Sequence, residues 1–163
     1  MASFYPSNII NQSNVHKVTG IFRTIIGNLA GPCITNTRNY DKKLCELTGG
    51  LLIHQNKTYW DAITSDGFHI ENKKCQGPMW FNLGRYARIH LRVDEDSKIE
   101  TFTAVYKYKG SKVIEILIIE TQNITNRLLK KYIETDSVET FYAMYNLCDL
   151  PLSELLLLLY TTS

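Results

Sequence analysis

Residues 100–119 constrain the fold of this chain more than any other stretch. From Glu100 to Lys109 the residues Phe102, Ala104, Tyr106 and Tyr108 recur at every second position, the period of a strand with one buried face. Gly110-Ser111 then leads into Lys112 through Ile119, a run rich in β-branched side chains whose stiff χ1 favours extended backbone. Two such strands form a hairpin, and a lone hairpin is at best marginally stable in water. The apolar character of 112–119 on both faces predicts a central strand, covered above and below.

The flanking sequence offers the cover. Val15, Val18, Phe22, Ile25 and Leu29 are spaced for an amphipathic helix that Gly31-Pro32 ends. Asp41 can cap a shorter helix carrying Leu44 and Leu47, which stops at Gly49-Gly50. Leu51 to His54 reads as a strand, Thr58 to Ser65 as a helix, and Asp66-Gly67 as a turn. Gly67 to Ile70 and Met79 to Phe81 read as extended, with Glu71 to Gly77 a polar loop between them. Leu83 to Val93 is helical by pattern, Asp94-Glu95-Asp96 is a solvated acidic turn, and the tail reads as helices over 124–134, 138–147 and 152–160. The expected architecture is a polar arm over 1–14 and a single α+β domain over 15–163. Its small, mostly antiparallel sheet, continuous or split, is flanked by helices, with helical ends.

Composition narrows the function classes. Eighteen basic residues against sixteen acidic ones give a net charge of +2, so the basic footprint of a dedicated nucleic-acid binder is missing and no sequence-specific nucleic-acid binding is expected. The longest apolar run, Leu155 to Tyr160, is far shorter than the roughly 20 residues that span a bilayer. With no basic n-region or apolar h-region at the start, the expectation is an intracellular, cytoplasmic protein without a membrane partner. The asparagine-, isoleucine-, lysine- and tyrosine-rich composition fits an AT-rich genome such as that of a large DNA virus, in which case a virion location is also open.

The common catalytic signatures are missing: no nucleophile elbow, phosphate loop, H-E-x-x-H or dinucleotide G-x-G-x-x-G occurs. Cys33, Cys45, Cys75 and Cys148 form no C-x-x-C pair, and His54, His69, Cys75 and His90 match no zinc spacing, so no metal site is expected.

The segment from Leu51 to His90 does carry an ordered set of features: a histidine closing a strand, Asp66-Gly67-Phe68 before a second strand, and Trp80-Phe81 before a helix with Tyr86-Ala87. This order resembles the core of ADP-ribosyltransferases of the diphtheria-toxin and poly(ADP-ribose) polymerase type. The resemblance implies NAD as substrate, with His54 on the adenosine-side ribose, Trp80 in the place of the first clamping tyrosine, and Tyr86 or His90 near the second. The family's glycine after the histidine, whose backbone holds the nicotinamide carboxamide, is Gln55 here. Transfer also needs a carboxylate to stabilise the oxocarbenium-like centre as nicotinamide leaves, and Glu115 and Glu120 are the candidates. Alternation groups Glu115 with Val113 and Leu117, and Glu120 with Ile114, Ile116 and Ile118.

A second reading belongs to another class. Phe141, Tyr142, Tyr145, Leu147, Leu150 and the 155–159 run offer apolar surface for a protein partner or homo-oligomer. On that reading the chain is a non-catalytic structural or interaction protein on a degenerate transferase fold.

Overall fold

The computed structural model describes residues 14–25, 40–75, 79–109, 112–132 and 147–158. In chain order the elements are α1 (14–25), α2 (Tyr40–Leu47), β1 (Leu52–His54), β2 (Ala62–Thr64), β3 (His69–Cys75), β4 (Met79–Asn82) and α3 (Leu83–Leu91). They continue with a 3₁₀ turn at Asp96–Lys98, then β5 (Thr101–Lys109), β6 (Lys112–Glu120), α4 (Thr121–Tyr132), β7 (Leu147–Leu150) and α5 (Leu152–Leu158). The fold is α+β, and its strands fall into two sheets, a five-stranded one in the order β1-β2-β3-β5-β6 and a two-stranded one of β4 and β7. Pairing is antiparallel except between β3 and β5.

The two faces of the larger sheet carry different cores. Phe102, Ala104 and Tyr106 of β5, Ile70 of β3 and Ile118 of β6 pack under Val18, Phe22 and Ile25 of α1 and Leu44 of α2. On the opposite face Val105, Leu117 and Ile119 meet α3, α4, α5 and the smaller sheet through Tyr86, Ile124, Leu128, Phe81 and Leu155. The hairpin alternation is therefore realised in β5. In β6 it is interrupted, because the register slips where Lys107 pairs with Glu115 but Tyr108 pairs with Val113. A bulge inserts one residue and reverses the facing of what lies beyond it. Val113 consequently joins the α1 core, away from Leu117 and Glu115.

Where β6 runs straight into α4, the Thr103 and Thr121 hydroxyls meet at 2.7 Å with both residues buried. Thr103→Val leaves the Thr121 hydroxyl without this partner in an apolar setting, and the expected loss is about 1–2 kcal/mol in urea unfolding. A variant as stable as the parent would show that Thr121 finds another hydrogen-bond partner.

Several sequence expectations need correction. Residues 58–65 are not a helix: Gln55 N–H donates to the Asp61 carbonyl at 2.7 Å and Asp61 N–H to the Ile70 carbonyl at 2.8 Å, which draws the segment into β2. The expected polar loop over 71–77 is strand β3 through Cys75. Among the described residues β6 lies at the margin of the sheet, not its centre. The acidic turn is tied down, since the Asp94 carboxylate accepts from Arg88 at 2.9 Å, Tyr59 at 3.1 Å and the Ser97 N–H at 2.9 Å. Residues 1–13 and 133–146 lie outside the described residues, and with them most of the expected arm and the 138–147 helix, whose last residue, Leu147, opens β7.

Candidate functional site where the sheet splits

β3 is the strand on which the two sheets part. Its first two residues, His69 and Ile70, pair with β2 as well as β5; from Glu71 to Cys75 it pairs with β5 alone among the described residues. At the break Asp61 takes over from the missing strand, its Oδ2 accepting from the Asn72 N–H at 2.9 Å. One step further, Lys73 Nζ donates to the Trp80 carbonyl at 2.8 Å and lies 4.8 Å from the centre of the Phe81 ring. A single lysine thus joins β3 to β4 through a hydrogen bond and a cation–π contact.

Alternation places Glu71 and Lys73 on the side of α3. Asn82 starts α3 by accepting from Arg85 N–H at 3.0 Å, and Arg92, in the left-handed region at φ 54°, ends it. This aims Arg85 and Tyr86 at Glu71: the guanidinium donates to Oε1, and the phenol donates to Oε2 at 3.0 Å. Burial, followed by the negative field of Glu71, holds the Tyr86 phenol well above its ordinary pKa. Burial lowers that of Lys73. Asp61 is pushed up to about 7, first by burial and then by Asp41 and Glu71. The sequence pattern puts Asp61 in a helix and Glu71 and Lys73 in a loop, although a seven-residue run such as HIENKKC, extended, puts charge on both faces of a strand.

The six residues singled out in the sequence fall in separate places. His54 ends β1 and is exposed. Trp80 is 56% exposed on β4, whereas its neighbour Phe81 is fully buried edge-on to Tyr86. Tyr86 is itself fully buried, and His90 sits exposed near the end of α3, its pKa lowered by partial burial and Arg92. Glu115 is exposed on β6 and paired with Lys107 at 2.9 Å. Glu120, 4% exposed, closes the same strand opposite Phe102. Because β1 and β6 are the two margins of the sheet among the described residues, His54 and the glutamates are separated by three intervening strands, about 19 Å at the usual inter-strand spacing.

Two cavities repeat this separation. Glu120 lines one of about 240 Å³ with Tyr59, Arg92 and Gln122, and Glu115 lines a groove of about 540 Å³ beside α1. Neither includes His54, Trp80, Tyr86 or His90. At the split itself, Gln55 is engaged at both ends: its N–H is bonded to the Asp61 carbonyl, and its Oε1 accepts from Trp60 Nε1 at 2.8 Å. No family model and no curated protein matches the sequence. No group of histidine, cysteine or acidic side chains able to hold a metal ion occurs among the described residues.

Proposed function

We propose that this chain is a non-catalytic protein-interaction protein on an ADP-ribosyltransferase-like split sheet, and that it does not transfer ADP-ribose from NAD. The observation that carries the reading is the division of the required groups between opposite margins of the sheet. Nicotinamide departure needs a ring clamp, a ribose contact and a carboxylate around one sugar, and catalytic power falls steeply with misplacement of even an ångström. The Gln55 N–H supports the same reading: the backbone donor that the resemblance assigns to the carboxamide is bonded to Asp61 instead.

Calorimetric titration with NAD tests this. No heat is expected at millimolar NAD, for the parent or for Trp80→Ala, and Trp80→Ala is expected to change stability by less than about 1 kcal/mol because the indole is already more than half in water. Clear binding that Trp80→Ala abolishes would restore the nucleotide-binding reading. No helix among the described residues is long and apolar enough to cross a membrane, which is compatible with a partner met in water.

A further inference from the structure

Among the described residues the strand β6 combines high apolar content with a marginal position, an arrangement that promotes association unless something covers it. Its residues 114–118, five in succession, all line the 540 Å³ groove. Neighbouring side chains of a strand point to opposite faces, so a groove touched by five in a row runs along the strand's edge. Its lips come from the two sides of the sheet. Val15, Thr19 and Phe22 of α1 stand over the face of Ile118, and Leu156 of α5 stands over the face of Leu117. The result is a slot about 17 Å long between two helices, with Ile114 at 52% and Leu156 at 40% exposure.

The charges of the slot are unequal. Glu115 is neutralised by Lys107 at 2.9 Å. Arg23, on the α1 lip, has no ion-pair partner among the described residues, so it gives the lip an uncompensated positive charge. We infer that this slot takes an extended segment of a partner protein as a further strand beside β6, apolar at alternate positions and carrying a carboxylate that meets Arg23. The inference rests on the interaction reading above and names its surface. Strand addition of this kind draws affinity from main-chain hydrogen bonds and specificity from pockets for alternate side chains. A second copy fits less well: its own α1 and α5 would project past its β6 and meet the same two lips.

The test uses the full chain and three labelled synthetic peptides read by fluorescence anisotropy. The first alternates valine and threonine with glutamates near its ends; the second replaces the glutamates with lysines; the third is the first with alternate amides N-methylated. The glutamate peptide is expected to bind at least about tenfold more tightly than the lysine peptide, and the N-methylated one to lose binding. Arg23→Glu, on an exposed helix face, is expected to reverse the charge preference, and Ile114→Asp to weaken binding of the glutamate peptide. Equal binding of all three peptides, or none at millimolar concentration, would overturn the inference. So would a dimer in sedimentation that Ile114→Asp dissolves, which would give the slot to a second copy. NAD titration does not involve this slot, so failure here and failure of the interaction reading are separately visible.

Discussion

Glu71→Ala is expected to lower the free energy of unfolding by about 3–5 kcal/mol, measured by urea titration near neutral pH. Glu71 is 4% exposed and holds two donors from α3, the Arg85 guanidinium and the Tyr86 phenol. Removing the carboxylate leaves the phenol, in a fully buried residue, without this acceptor. It also leaves the guanidinium, about a third exposed, without its counter-charge. The cost comes from desolvated groups left unpaired, which exceeds what the intact pair contributes over an apolar substitute. Glu71→Gln retains an acceptor and a similar shape, and is expected to cost less, about 1–2 kcal/mol. Equal losses for the two variants would mean that the negative charge opposite Arg85, and not the shape or the neutral acceptor that Gln retains, sets the role of Glu71.

The second large effect is on pH dependence. Burial beside Asp41 and Glu71 raises Asp61 to about 7, while the Asn72 N–H and Arg85 act in the other direction. A carboxyl raised in the folded state binds its proton there when the unfolded chain has already released it. Stability from this group is therefore complete below the ordinary carboxyl range and is lost as pH rises through about 7. The ceiling is about 4 kcal/mol between roughly pH 4 and 7. Asp61→Asn keeps an oxygen for the Asn72 N–H and removes the titration. Its stability is expected to run flatter than the parent's over that interval, and the difference between the two curves isolates Asp61 from the other carboxyls. Parallel curves would show that Asp61 titrates alike in both states.

The parts of the fold that were legible are those where a single period persists. β5 alternates over nine residues with one face under α1, and the helix spacing of 83–91 has both its stop and its buried stripe. β3 was not legible, because its polar groups are acceptable in a sheet only when Arg85, Tyr86, Asp61 and the Trp80 carbonyl receive them, and these come from three other segments. The helical spacing of Tyr59, Ala62 and Ile63 was overridden by pairing with β1 and β3, an outcome decided by tertiary partners. Within β6 the bulge hid the facing of the side chains. Until Lys107 and Tyr108 change register, Val113 and Glu115 share a face on paper; the slip moves Val113 to the other core. His54 and Trp80 were correctly foreseen at strand positions and both are exposed, but which strands neighbour one another is a property of the whole topology.

The parallel pairing of β3 with β5 also orders the events of folding. Lys109 lies opposite Lys112, so β5 and β6 can close with only two residues between them, a microsecond event of small entropic cost. The pairing of β3 with β5 aligns His69 with Thr101 and must wait for a crossover that carries β4 and α3. That step has the longer loop to close and the charges of Glu71 and Lys73 to strip of water before Arg85, Tyr86 and Trp80 can receive them. The hairpin is thus the natural nucleus, and β3 docks late. Because interactions absent from the transition state govern the rate of unfolding, the ion-paired strand sets how long the native state lasts, while the apolar hairpin sets how quickly it is reached.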